Sequence, residues 1–172
     1  MRWVGAVASA LGVAGVLLAA SCQSPTQITV AVVTDLPCSE VSDAQITVGN
    51  LGEIETKPIT ATMKCSGNGD FGTLVLVPSG GQTDQVAFKV VVARPGRDVT
   101  TCQAPAYGKG CIVARRALHY IEHSSLRVVV TMRASCDDVP CGEVQTCAAG
   151  VCKSAYIPRS SDCATPAGCG EE

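Results

Sequence analysis

The sequence has few aromatic residues and no excess of basic charge. Phe, Trp and Tyr make up 3% of the 172 residues, and the single Trp, Trp3, lies in the apolar N-terminal segment. So few rings argue against a stacking platform for sugars or for single-stranded nucleic acid. The formal net charge is −2 at pH 7, which excludes the basic surface typical of nucleic-acid-binding proteins.

The signatures of several large enzyme classes are also missing. The chain contains no G-x-S-x-G nucleophile elbow, no P-loop and no glycine-rich dinucleotide fingerprint. Asn68 and Asp70, in SGNGDFG, could offer oxygen ligands to calcium, but the D-x-D-x-D-G spacing of a calcium loop is lacking. We therefore expect a plain turn at SGNGDFG and no bound cofactor.

The N-terminal segment MRWVGAVASALGVAGVLLAASC is typical of an export signal. Arg2 is followed by the uncharged residues 4–20, and small residues then lead to Cys22. The segment is nearly long enough to span a bilayer. It is rich in Ala and Gly, however, and no basic cluster follows it, which favours a cleaved signal over a retained anchor. We predict a signal peptide at residues 1–21.

The run LLAASC resembles the lipobox of bacterial lipoproteins, whose cysteine receives a diacylglyceryl group and becomes the first mature residue. Ala19 stands where that family usually has Leu, and the site also suits ordinary signal peptidase, so a secreted form is the alternative. Lipidation of Cys22 would leave ten of the eleven cysteines, an even number that can pair in an oxidising compartment. In bacterial lipoproteins, an Asp directly after the lipidated cysteine retains the protein at the inner membrane. This chain has Gln23 in that position, so the same resemblance implies an outer-membrane lipoprotein, on either the periplasmic or the surface face.

Residues 27–134 consist of short runs rich in Val, Ile and Thr, separated by turn residues. Seven such runs predict an all-β domain, a seven-stranded antiparallel sandwich of immunoglobulin-like or transthyretin-like type, with residues 22–26 as its tether to the membrane. Strict alternation in two runs predicts eight core residues. These are Val86, Phe88, Val90, Val92, Leu126, Val128, Val130 and Met132.

Residues 135–172 form a cysteine-rich tail with few apolar residues to bury. Six cysteines fall in it, so we expect disulfides to hold it together. The unit C-x4-C-x5-C-x4-C resembles half of an EGF-like module, which implies the pairs Cys136–Cys147 and Cys141–Cys152. Cysteine-bound zinc is the alternative use of this cluster. The remaining pairs are a guess among hundreds of combinations: Cys163 with Cys169, Cys102 with Cys111, and Cys38 with Cys65.

The stretch HYIEH contains both histidines and matches H-x-x-E-H, the inverted metallopeptidase signature. In that signature His119 and His123 would bind zinc and Glu122 would act as general base. The two histidines can bind one zinc ion only if they lie on a helix. In a strand, residues four apart are separated by ~13 Å, too far for both to contact the same ion. The neighbouring runs CIV and LRVVVTMR favour instead a β-hairpin with its turn near residues 123–125. A zinc-dependent peptidase therefore stays the alternative function.

Arg115 and Arg116 interrupt an apolar run, which indicates a bulge or an edge strand guarded against aggregation, with ligand binding as the alternative. Taken together, the lipobox, the PTQITVAVVTDLP strand, the ARR strand and C-x4-C-x5-C-x-x-G-x-C resemble a group of uncharacterised bacterial surface lipoproteins. The resemblance implies an architecture and no activity. We expect a non-enzymatic envelope protein that acts as a binding or structural module. Its partners would be the membrane, through the lipid, and a protein at the sandwich loops or the tail.

Overall fold

The structure is a computed structural model, and it describes residues 23–105 and 107–170. The predicted signal peptide and Cys22 lie outside the described residues. Within them, no helix has the length and apolar character needed to cross a membrane.

The described part of the chain is mostly β-structure, and its helical segments are 3-10 turns of five residues or fewer. Each of the seven predicted runs overlaps one of the first seven strands. A further hairpin lies in the cysteine-rich tail. The strands are β1 (Gln27–Thr34), β2 (Ala44–Gly49), β3 (Ala61–Met63), β4 (Asp70–Leu76), β5 (Gln85–Ala93), β6 (Cys111–His119), β7 (Ser125–Met132), β8 (Gln145–Ala148) and β9 (Val151–Ser154).

These strands form three sheets, with the orders β4-β1-β7, β3-β2-β5-β6 and β8-β9. Most neighbours are antiparallel, but β1 and β7 are parallel, from Gln27 opposite Ser125 to Thr34 opposite Met132. The prediction of a wholly antiparallel arrangement is wrong at this pair. Alternation shows which face a side chain occupies but not the direction in which its strand runs, so the sequence pattern could not reveal the parallel pair.

One apolar cluster joins the two larger sheets. All eight core residues predicted from alternation belong to it, together with Ile28, Val30 and Val32 of β1. Phe88, Val90 and Val92 are fully buried. Burial of each such side chain stabilises the fold by about 1.5–3 kcal/mol, so the inward faces of β1, β5 and β7 hold the two sheets together.

The cysteine-rich tail covers the edge of the four-stranded sheet at β6. The Ala117 N–H donates to the Ala155 carbonyl at 2.8 Å, and the Ala117 carbonyl accepts from the Ile157 N–H at 2.8 Å. Cys136 and Cys147 are buried within the apolar cluster. An uncovered edge strand would offer its free N–H and C=O groups to other chains, so the tail protects β6 from edge-to-edge association.

The same tail also covers the edge of the three-stranded sheet at β7. The Val129 N–H donates to the Cys169 carbonyl at 2.8 Å, and the Cys169 N–H donates to the Arg127 carbonyl at 3.0 Å. Cys163, the disulfide partner of Cys169, is fully buried in the apolar cluster. The tail therefore covers one edge strand of each larger sheet, β6 of the four-stranded sheet and β7 of the three-stranded sheet.

Every cysteine in the described residues is part of a disulfide. The two pairs implied by the half-EGF resemblance are present, and the three guessed pairs are present as well. The five pairs are Cys38–Cys65, Cys102–Cys111, Cys136–Cys147, Cys141–Cys152 and Cys163–Cys169. In the tail hairpin, Ala149 and Gly150 connect β8 to β9 with φ values of 50° and 84°, the positive φ at both central residues that a type I′ turn requires.

Candidate functional site

The HYIEH stretch lies where β6 ends and the chain turns into β7. His119 is the last residue of β6, and His123 adopts a left-handed φ of 55° in the turn. Glu122 contacts its neighbour His123 at 3.5 Å, and both side chains are exposed. The helix that a zinc signature needs is not formed here. Among the described residues, no three His, Cys, Asp or Glu side chains are grouped so that they could hold a metal ion.

Asn68 lies in the tight connection between β3 and β4, and Asp70 is the first residue of β4. The backbones of Ser66 and Asp70 exchange hydrogen bonds of 2.8 and 3.1 Å. The Asp70 carboxylate accepts a hydrogen bond from the Gly72 N–H at 2.6 Å. The carboxylate of Asp70 therefore stabilises the local turn.

Arg115 and Arg116 lie in an unbroken part of β6. The register with β5 is continuous from Gln85 opposite His119 to Ala93 opposite Cys111, so the predicted bulge is wrong. β6 is an edge strand of its sheet, but both arginines are buried, 2% and 4% exposed, because the tail packs over that edge. Arg116 Nη1 donates to the Thr146 hydroxyl of β8 at 2.7 Å, whereas the Arg115 guanidinium contacts the carboxylate of Glu55.

Arg115 is part of a cluster of charged side chains on the outer face of the four-stranded sheet. Lys89 lies directly opposite Arg115 in the β5–β6 ladder, and like charges in that position repel each other. Glu55, from the 3-10 turn Glu53–Glu55, places its carboxylate against both cations. Its Oε1 lies 2.6 Å from Arg115 Nε and its Oε2 lies 3.4 Å from Lys89 Nζ. The three side chains are nearly inaccessible to solvent, with 2% exposure for Glu55 and Arg115 and 8% for Lys89.

Tyr107 completes this group, which we call the buried ion cluster: Glu55, Lys89, Arg115 and Tyr107. The Tyr107 hydroxyl donates a hydrogen bond to Glu55 Oε2. Its ring also lies 5.6 Å from Lys89 Nζ and 5.3 Å from Arg115 Cζ, within the range of cation–π attraction. Tyr107 thus contacts the carboxylate with its hydroxyl and both cations with its ring.

Burial and the contacts within the cluster shift the pKa of three of its members. Burial by itself would raise the pKa of Glu55, but hydrogen bonds from Arg115 and Tyr107 and the charges of Arg115 and Lys89 lower it below its ordinary value. Burial lowers the pKa of Lys89, and the Glu55 carboxylate opposes that shift. Burial and Glu55 together raise the pKa of Tyr107 far above its ordinary value. At neutral pH Glu55 is therefore a carboxylate and Tyr107 a neutral phenol, and the basic groups of Arg115 and Lys89 lie within salt-bridge distance of that carboxylate, at 2.6 and 3.4 Å.

An open cleft of about 640 Å³, which we call the outer cleft, lies over the same face of the sheet. Gln45, Thr47, Lys89 and Val91 form its floor on β2 and β5. Its walls come from two loop segments, residues 55–59 and residues 99–104, the latter containing Cys102. Lys89 and Glu55 thus contact the cleft with part of their surface, while Arg115 lines a separate cavity of about 160 Å³ beside Tyr107.

Sequence reasoning identified Arg115 but missed the rest of the buried ion cluster. Lys89 carried a signal, since it is the only charged residue in QVAFKVVVA and alternation places it on the face opposite Phe88. Glu55 and Tyr107 come from loops, where no periodicity indicates the direction of a side chain. Two cations opposite each other in a ladder do imply a nearby carboxylate, but the chain offers many candidates for it.

Comparisons of the chain with protein-family models, with curated proteins and with solved structures find no match.

Proposed function

We propose that the protein is a non-enzymatic, lipid-anchored protein of the bacterial cell envelope that binds a ligand in its outer cleft. The observation that carries the proposal is the pair of buried charged groups that the cleft reaches. Lys89 of the floor and Glu55 of the wall are nearly buried, yet both line an open volume of about 640 Å³. A concave cleft in which a few polar groups converge is the usual form of a small-molecule site.

The pKa shifts of Glu55 and Tyr107 favour binding over proton transfer by these two groups. A general acid or base works best when its pKa lies near the working pH. The pKa of Glu55 is lowered from its ordinary acidic value, and the pKa of Tyr107 is raised from its ordinary basic value. Both shifts move the groups further from neutrality. The two groups therefore supply a fixed charge and a fixed dipole, which suit recognition of a ligand.

The anchoring part of the proposal depends on Cys22. Lipid on Cys22 would hold the domain close to the membrane, because only residues 22–26 would lie between the lipid and β1. They span at most ~17 Å. Five disulfides suit an oxidising compartment outside the cytoplasm. Gln23 supports the outer membrane as the site of anchoring, with secretion as the alternative.

In this proposal the fold is a two-layer sandwich of immunoglobulin-like or transthyretin-like type. The apolar cluster shared by the three-stranded and four-stranded sheets supports that class. The tail would then act as a structural cover for β6 and β7, and the loops that wall the outer cleft would provide the ligand contacts.

Amide spectra of the ¹⁵N-labelled mature chain test the binding site. The chain would carry Cys22→Ser to keep it in solution, and it would be titrated with sets of small organic anions, cations and neutral molecules. We expect shift changes to cluster at Thr47, Lys89 and Val91.

Gln103→Trp should abolish these shift changes, because Gln103 is an exposed residue of the cleft wall and the indole would fill the cleft. Gln82→Trp is the matched control, since Gln82 is also exposed but does not line the cleft. Shift changes located elsewhere, or unchanged in Gln103→Trp, would contradict the proposed site.

A further inference from the structure

The buried ion cluster contains two cations and only one carboxylate. Glu55 Oε1 accepts from Arg115 Nε at 2.6 Å. Glu55 Oε2 accepts from Arg115 Nη2 at 3.3 Å, from Lys89 Nζ at 3.4 Å and from Tyr107. The carboxylate is therefore saturated with donors, and one positive charge is left without a counter-charge in the cluster. Because buried charges are costly unless they are paired, the cluster favours one further negative charge beside it.

Lys89 is the cation that can accept this additional partner. An ammonium group has three donors, and its two hydrogen bonds, to the Glu55 carbonyl and Oε2, are both 3.4 Å long. That length exceeds the usual range for N–H···O bonds. Arg115, by contrast, uses three nitrogens, with Nη1 donating to the Gln145 carbonyl. Lys89 lines the outer cleft and Arg115 does not.

A hydroxyl that could donate to the second oxygen of a carboxylate group lies beside Lys89. Thr47 lies directly opposite Lys89 in the β2–β5 ladder and therefore on the same face of the sheet. Both residues belong to the floor of the outer cleft. A hydroxyl can donate one hydrogen bond, so an anion at Lys89 would find a second donor on the neighbouring strand.

The walls of the outer cleft contain apolar residues among polar ones such as Lys57 and Gln103. Ile59 and Val99 are apolar wall residues, beside Val91 of the floor, and Ile59 is 49% exposed. A small polar anion would leave these surfaces in water. A ligand with an apolar body would cover them, with a gain of about 25 cal/mol for each Å² of apolar surface removed from water.

We infer that the outer cleft binds a small organic monocarboxylate with an apolar body, its carboxylate group on Lys89 and Thr47 and its body against Val91, Val99 and Ile59. This inference rests on the proposed function of the cleft and adds the chemical class of the ligand. One negative charge matches the excess of one positive charge in the buried ion cluster.

Calorimetric titration of the mature chain with hexanoate tests the inference, with hexan-1-ol and hexylamine as probes of the same length and different charge. A hydrogen bond to a charged group implies that hexanoate binds roughly ten- to a hundredfold more tightly than hexanol. Lys89→Met should remove that advantage and leave the affinity for hexanol unchanged. Lys64→Met, the same substitution at an exposed lysine outside the cleft, should change neither affinity.

Two further measurements separate the possible failures. Gln103→Trp should abolish hexanoate binding while leaving the buried ion cluster intact, which covers the case in which Lys89→Met does not fold. Inorganic phosphate should compete only weakly with hexanoate, because it has no apolar body. Equal affinity for hexanoate and hexanol, or for hexanoate and phosphate, would overturn the monocarboxylate assignment although the cleft still binds. Absence of binding by every probe, together with silent amide spectra, would overturn the proposed function itself.

Discussion

Glu55→Gln should destabilise the fold far more than a change of an exposed carboxylate. The substitution leaves Arg115 and Lys89 as neighbouring buried cations, because it removes the charge that contacts them at 2.6 and 3.4 Å. Loss of one partner from a buried ion pair costs about 3–5 kcal/mol. For a domain of this size, that loss corresponds to a decrease in melting temperature of roughly 6–20 °C.

Glu53→Gln is the matched control, because Glu53 lies in the same 3-10 turn but its side chain is 57% exposed. This side chain contacts Lys57 at 3.4 Å and Asn50 at 3.0 Å. An exposed pair of this kind contributes at most about 0.5 kcal/mol. Thermal and guanidinium unfolding of the oxidised mature chain, followed by far-ultraviolet circular dichroism, would measure both variants. Equal melting temperatures for Glu55→Gln and Glu53→Gln would refute the claim that the cluster stabilises the fold.

Three other predictions follow from the structure. The pKa of Glu55 is lowered from 4.5 in the folded state, so its contribution to stability is complete above that pH and is lost as the pH falls through the folded pKa. The difference in melting temperature between the wild-type protein and Glu55→Gln should therefore shrink in acid, and a constant difference would contradict the pKa shift. Deletion of residues 135–172 should expose the edges of β6 and β7 and lead to aggregation on size-exclusion chromatography, whereas a monomer with an unchanged melting temperature would show that the tail is dispensable. Phe88→Ala should cost about 3–5 kcal/mol in guanidinium unfolding, because Phe88 is fully buried, and a cost under about 1 kcal/mol would contradict its position in the core.

The positions of the strands could be predicted because two local signals agree along the chain. Large apolar residues recur at every second position in β5 and β7, and glycine, proline and asparagine mark the connections. The core residues Phe88 and Val128 follow directly from that alternation. The parallel pairing of β1 with β7 could not be predicted, since the order and direction of strands depend on long connections that leave no periodic pattern.

The segment around Arg115 shows how tertiary structure overrides a local pattern. Ala114, Leu118 and Ile121 fit the i, i+4, i+7 spacing of an amphipathic helix. Pairing with β5 along nine residues of β6 decides for the strand. Burial of the Arg pair could not be predicted either, because the covering tail and the partner Glu55 are distant in the sequence.

The candidate site was the least predictable part of the molecule. Lys89 and Arg115 are strand residues, so alternation along the strand predicts the face of the sheet on which each side chain lies. Glu55 and Tyr107 are held by loops, and the loop of Tyr107 is closed by the Cys102–Cys111 disulfide. The outer cleft depends on how these loops fold over the sheet, which composition and spacing do not determine.

The central claim, a lipid-anchored and fully disulfide-bonded binding protein, is tested most directly by a native intact-mass spectrum. The protein would be extracted from its membrane fraction and measured before and after reduction. We predict a chain that starts at Cys22 and carries acyl groups, and that gains the ten hydrogens of five disulfides on reduction. An unlipidated chain that contains one zinc ion would contradict the account and return His119, Glu122 and His123 to consideration as an active site.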